Sequence, residues 1–270
     1  MKKFLFTLVL LISFVFANAQ NNRTFESAMY INDLSITEVS RFIELHKKFA
    51  DMGAGDNRKA TGDWLFRHWY GSGHTFVIYS QYNSMEDYLA DSDIYLANIK
   101  AKMDAITDEN EKEAIVKDWT EYRSFSDGHT DEIRAVYPET GFLTVENVNF
   151  DIPFVMVVGR YNSSGSWPKM GNAFFNWQIK PSIDSGSAMA GGVSYHFMGS
   201  GPEVEVWQCF KSLVDFATAT TSSAPPSEEA KEASKTFWSL AIGSHEDQIY
   251  LHIGHVDYEK GIFDLAGENK

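Results

Sequence analysis

The residues of this chain best able to do chemistry are its eight histidines and its single cysteine. His68 and His196 each stand three residues ahead of a Gly-Ser-Gly, in His-Trp-Tyr-Gly-Ser-Gly and His-Phe-Met-Gly-Ser-Gly. Such a pair suits a pocket for a flat or phenolic molecule, or a haem held through one imidazole. It equally suits hydrogen-bonded strand histidines. His129-x-Asp131 and His245-x-Asp247 form a second pair. A carboxylate beside an imidazole orients it and raises its basicity, as a general base requires. The same pattern also fits a helix-to-strand corner, where imidazole answers a helix C-terminus and aspartate takes turn hydrogen bonds.

The run from His245 to Asp257 is dense in ligand types: His245, Glu246, Asp247, His252, His255 and Asp257. His252 and His255 are an odd number of residues apart in a strand-like run, which points them to opposite faces. No metal site is therefore expected. Cys209 is alone, so neither an intrachain disulfide nor a thiolate zinc cluster can form. Its place beside Trp207 suits a small buried hydrophobe. No Gly-x-Ser-x-Gly, no Walker loop and no Gly-x-Gly-x-x-Gly ahead of a helix occurs. Catalytic residues and any cofactor stay open.

These residues sit in a longer internal repeat. At an offset of 128, Arg67–Ala90 lies over Tyr195–Thr218. Identities fall at His68/His196, Gly71/Gly199, Ser72/Ser200, Gly73/Gly201, Ser84/Ser212 and Asp87/Asp215, and Tyr79 exchanges with Trp207. β-Branched and aromatic runs flank glycines that supply the positive φ of a hairpin turn. Ser84 and Ser212 then cap a helix with an acid in its first turn. At the His-x-Asp pair the offset falls to 116. A Pro/Ser-rich loop, Thr220–Ala230, accounts for the change and ends in a new helix start at Ser227. Upstream, Phe25–Asn32 reads as a strand. A capping box, Ser35-x-x-Glu38, follows, then a helix with Val39, Phe42, Ile43, His46 and Phe49 on one stripe. Phe154–Asn162 is the second leading strand. Trp167–Ser182 is its helix, opening at Pro168 and stopping by Pro181. The fold class is α+β: two tandem β-α-β-β-α-β, ferredoxin-like repeats, over 20–145 and 146–270.

Residues 1–19 read as a signal peptide, with Lys2 and Lys3, an apolar Phe4–Phe16 and an Ala17-Asn18-Ala19 cleavage site. The mature chain is expected in the periplasm or outside the cell, and no later stretch is long and apolar enough to span a membrane. A composition of 44% hydrophobic and 14% aromatic residues supports a packed core. With 37 acidic against 23 basic residues the chain repels phosphate backbones, which excludes nucleic acid as a partner.

A β-α-β-β-α-β unit written twice in one chain resembles the dimeric α/β-barrel superfamily. Its members include antibiotic-biosynthesis-type monooxygenases, EthD-like and NIPSNAP-like proteins, and chlorite-dismutase-like and dye-decolourising haem proteins. The resemblance spans nearly all of the mature chain as element order and rests on no signature motif, so it carries no catalytic residue across. It implies two sheets that face each other and close a barrel-like pseudo-dimer within one chain. Strand parity then puts Phe76, Ile78, Val204 and Val206 under helices. Thr75, Val77, Tyr79, Glu203, Glu205 and Trp207 go to the interior, where the two carboxylates need partners. A two-residue turn would add His68 and His196 to the interior face; a three-residue turn would remove them.

The expected function is binding of a small apolar or aromatic molecule between the repeats, extending to turnover without a cofactor. His68, His196, Tyr79, Trp207, Glu205, His129 and His245 are the candidate ligand-binding residues. Two alternatives stand beside it: a non-catalytic envelope or secreted interaction module with a filled core, and a haem protein using His68 or His196. Oligomeric state is open.

Overall fold

The first β-α-β-β-α-β unit comprises β1 (Thr24–Ile31), α1 (Val39–Gly53), β2 (Ala60–Tyr70), β3 (Phe76–Tyr82), α2 (Met85–Asp104), α3 (Glu109–Ser124) and β4 (Thr130–Val136). A connector carrying the short β5 (Leu143–Thr144) leads to the second. That unit holds β6 (Val155–Ser163), α4 (Trp167–Phe174), α5 (Lys180–Asp184), β7 (Ala190–Gly199), β8 (Val204–Phe210), α6 (Leu213–Thr221), α7 (Glu228–Leu240) and β9 (Ala241–Asp257). A last strand, β10 (Ile262–Leu265), pairs with β9. The structure is a computed structural model that describes residues 23–221 and 226–268. The signal peptide expected at 1–19 and residues 222–225 of the Pro/Ser-rich loop lie outside the described residues.

Each unit has the ferredoxin-like strand order, β4-β1-β3-β2 and β9-β6-β8-β7, antiparallel throughout. The units join edge to edge twice, β4 on β7 and β2 on β9. Eight strands therefore close into a barrel, which removes the free edges each sheet would have alone. The helices cover the outside. Ile31, Phe42, Leu65 and Phe76 pack under the first unit's helices, and Met170, Val193, Val206 and Phe237 under the second's.

Both Gly-Ser-Gly stretches turn hairpins at one end of the barrel. Gly71, Gly73, Gly199 and Gly201 have φ of 124°, 110°, 90° and 153°, angles that L side chains resist. His68 N–H donates to Thr75 O and His196 N–H to Glu203 O, each at 2.9 Å. An even number of residues lies between these partners, so His68 and His196 share the interior parity of Tyr79 and Trp207. The repeated caps also form. Ser84 Oγ accepts from Asp87 N–H at 3.0 Å and Ser212 Oγ from Asp215 N–H at 3.1 Å. Ser227 caps α7 in the same way, at 3.1 Å from Ala230 N.

Two local expectations need correction. Only half of the capping box forms: Glu38 accepts from Ser35 N–H at 3.1 Å, while the Ser35 hydroxyl turns to Thr37 Oγ1. The helix of the second unit does not stop by Pro181. It passes through a π turn, Phe175–Ile179, into α5 and ends at Asp184. Proline cannot donate to the helical ladder, and the wider i→i+5 spacing ahead of it lets Pro181 open a fresh segment.

Candidate functional site in the barrel interior

Closing the barrel turns every second residue of eight strands inward, and those residues sort into two halves. At the hairpin end the interior is ionic. Arg134, fully buried, donates from Nε to Ser194 Oγ at 2.8 Å and pairs with Glu132 at 3.2 Å. Arg160 also contacts Glu132, and its Nε lies 3.1 Å from Glu205 Oε2 but is poorly aligned for a hydrogen bond. Burial opposes the charge on Arg160, yet the Glu205 and Glu132 carboxylates hold its guanidinium more firmly charged than usual. The partners that Glu205 needed are therefore Arg160 and the network behind it. Glu203 sits instead at the strand entrance and accepts from Ser163 N–H at 3.1 Å.

The other half is apolar. Trp64, Phe66, Tyr79, Phe154, Met156, Trp207 and Cys209 surround a cavity of about 40 Å³, with Glu26, Gln81 and Glu205 at its edge. The connector between the units lies over this end. The Phe142 ring lies tilted 5.5 Å from that of Trp207, and Phe150 lies 5.7 Å from Phe154. Gly192 permits the approach, since a Cβ there would stand 1.9 Å from Gly141 O. Burial pushes the Cys209 thiol well above its ordinary range, as expected of a packed hydrophobe rather than a nucleophile.

Glu26 is the odd group. Three interior carboxyls (Glu26, Glu132 and Glu205) face two guanidiniums, and the ion pairs take Glu132 and Glu205. Glu26 is 5% exposed. Burial, reinforced by Glu205, raises its pKa to about 8, so at neutral pH it is largely protonated. The Tyr79 and Tyr30 hydroxyls are buried nearby without hydrogen-bond partners among the described residues. Burial first and Glu205 second push both well above the usual phenol range.

The seven candidate residues separate. Tyr79, Trp207 and Glu205 line the cavity together. The four histidines do not. His68 lies at the ionic end, its Nδ1 2.9 Å from His74 O and its Nε2 3.0 Å from Tyr70 O, with its ring 4.9 Å from that of His74. His196 lies at the other hairpin, with Nε2 3.1 Å from Gly199 O. Parity sends both inward, but their position near the turns sets them at the rim. His129 and His245 are exposed on the outside, each 3.0 Å from its aspartate, Asp131 and Asp247. His129 Nδ1 also contacts Ser126 O just past α3, the corner geometry that the sequence allowed.

A haem does not fit these residues. Both ring nitrogens of His68 face backbone carbonyls, His196 sits at a rim, and the interior between them is filled by the Arg134–Glu132–Arg160 network. Among the described residues no group of three or more His, Cys, Asp or Glu is placed to hold a metal ion. The parity argument for His252 and His255 fails, however. β9 carries a bulge where Leu65 faces Gly254 and Phe66 faces His252. The extra residue flips the alternation, and the two rings stack at 5.7 Å on one face.

Sequence reasoning missed Glu26, Arg134 and Arg160. Their signal was a charged residue at an interior parity position of a strand otherwise apolar on that face, and it becomes legible only once the barrel fixes which face is interior.

No protein-family model matches the sequence, and no curated protein matches it. Solved structures match across nearly the whole chain. An anthrone oxidase-like protein superposes with a TM-score of 0.55 at 16% identity, covering 92% of this chain and 98% of that one. A candidate monooxygenase from Fusobacterium nucleatum subsp. nucleatum gives 0.55 at 10% identity, over 90% and 97%. Another from Lactobacillus acidophilus NCFM gives 0.51 at 8% identity, over 91% and 97%. The protein has the dimeric α/β-barrel fold, duplicated within one chain. No helix among the described residues is long and apolar enough to cross a membrane.

Proposed function

We propose that the protein, exported by its N-terminal signal, binds a small aromatic molecule bearing an acidic hydroxyl in the apolar half of the barrel. Glu26 is its polar anchor. The observation that carries this reading is one carboxyl without an ion-pair partner, Glu26, beside Gln81 at the edge of a cavity walled mainly by Trp64, Phe66, Phe154 and Trp207. Aromatic walls supply the burial energy and one polar group fixes orientation. A carboxyl whose pKa lies near 8 can donate a hydrogen bond to a phenol oxygen when protonated. When ionised it accepts a hydrogen bond from the phenol hydroxyl, which keeps its proton because burial raises phenol pKa values in this interior. The cavity is smaller than the several hundred Å³ such ligands need, so binding requires Phe142 and Phe150 to swing out with the connector. The description of one fold neighbour as anthrone oxidase-like is compatible with an aromatic ligand.

The test is a titration of 2-naphthol and 2-methoxynaphthalene, followed by tryptophan fluorescence. Saturable quenching lost in Trp207→Leu is expected. So is a preference for the naphthol of about tenfold, the worth of one buried hydrogen bond, that Glu26→Gln shifts. The absence of saturable binding by either compound would leave the second reading. There the small free volume is the point: a core plugged by Trp, Phe and Tyr belongs to a non-catalytic interaction module.

A further inference from the structure

A larger cavity lies outside the barrel, in the first unit. It holds about 390 Å³ between the outer face of β1–β3 and the helices α1, α2 and α3. It exists because α2 does not present an apolar face to the sheet. The residues it lines the cavity with are Tyr88, Leu89, Asp91, Ser92 and Tyr95, of which Leu89 is largely exposed, and its only buried residues are Asp91 and Ile99. In the second unit the same layer is filled by Met170, Ile179 and Phe237.

The lining has a distinct chemistry. Tyr82, Tyr88, Tyr95 and Tyr122 contribute four phenol rings. Asp63, Asp91 and Asp131 contribute carboxyls against one basic group in the lining, Arg58; burial raises the Asp63 carboxyl above its ordinary range, so the surplus of negative charge rests on Asp131. Arg58 is already committed: it pairs with Asp91 at 2.7 Å, reaches Asp63 at 3.1 Å and lies 5.0 Å over the Tyr95 ring, which leaves Tyr82 and Tyr88 nearest the mouth for a ligand. His46 adds no positive charge at neutral pH, because burial lowers its pKa to about 4. Its Nδ1 is hydrogen-bonded to the Tyr122 hydroxyl at 2.9 Å. Asp131 stands at the mouth with its side chain half exposed, 3.0 Å from His129 Nε2, and its outer face stays open to solvent. Tyrosine faces together with surplus negative charge attract a cation and repel an anion.

We propose that this pocket is a second binding site, for a small organic cation such as a protonated or quaternary amine, held against the tyrosine rings with Asp131 at the entrance. It is separate from the barrel interior and does not depend on any ligand there.

The test is calorimetric titration of the mature chain with choline and with its neutral isostere, 3,3-dimethyl-1-butanol. Choline is expected to bind about three- to tenfold more tightly than the neutral isostere, the range a cation–π contact provides. Asp131→Asn, exposed at the mouth, and Tyr88→Ala, whose partly buried ring packs at the edge of the Phe25–Ile133 cluster, should each weaken choline by about three- to tenfold. Far-ultraviolet circular dichroism checks that each variant is folded. Glu26→Gln, on the opposite face of the sheet, should leave choline binding unchanged. Equal affinity for the isostere, an affinity indifferent to both mouth variants, or no choline binding at all would overturn the proposal.

Discussion

Replacing Glu26 by glutamine should change how the stability of the protein depends on pH. In the folded chain its carboxyl is raised from 4.5 to about 8 by burial and by Glu205. The unfolded chain releases that proton near the ordinary value, so between the two the folded state binds more protons and stability must fall as pH rises. The contribution is fully present below about pH 4.5 and is lost by the time pH passes 8. At about 1.4 kcal/mol per pH unit at full slope, the wild type loses on the order of 4 to 5 kcal/mol from this one group. Glutamine keeps the shape and a hydrogen-bonding end but cannot ionise. Urea unfolding at pH 5, 6, 7, 8 and 9 measures both proteins, and contributions from groups not coupled to Glu26 cancel in the difference. The variant should match the wild type near pH 5, grow steadily more stable relative to it up to pH 8, and stay level above that. Two curves that run parallel across this range would refute the reasoning. They would mean that Glu26 is solvated or paired in the folded state.

Other consequences follow from the same interior. Arg134→Met leaves Glu132 without one of its buried partners and should destabilise the protein by about 3 to 5 kcal/mol, read by denaturant unfolding. Phe142→Ala should cost less than about 2 kcal/mol, because the ring is 46% exposed, and should speed naphthol association in stopped-flow fluorescence by opening the connector. Ser84→Ala and Ser212→Ala should each cost about 1 kcal/mol, since the two hydroxyls make the same cap in the two units. Cys209 should resist a thiol reagent in the native protein and react at once in urea.

Much of the architecture was readable from the chain because duplication repeats its local signals. The two Gly-Ser-Gly turns, the two Ser-x-x-Asp caps and the element order each appear twice, and each has a local physical cause. Parity assigned Tyr79, Glu205 and Trp207 to the interior correctly because β3 and β8 are regular. It failed for His252 and His255, where a bulge in β9 adds a residue that nothing in the sequence marks except Gly254. The histidines drew attention by their type, yet what decides the site is distance along the barrel axis. That distance depends on pairings between β4 and β7 and between β2 and β9, contacts far apart in sequence. Glu26 was invisible for a related reason. Its isolation is a count of three interior carboxyls against two guanidiniums drawn from different strands, and no single segment contains that count.

The most direct measurement of the central claim is a set of intermolecular nuclear Overhauser effects between 2-naphthol and methyl-labelled methionines of the mature chain. Met156 lines the interior cavity and Met29 lines the pocket under α2. The account predicts cross-peaks from the naphthol ring to the Met156 methyl, weakened in Trp207→Leu, and none to Met29. Cross-peaks to Met29 alone, or to no methionine at saturating naphthol, would contradict it.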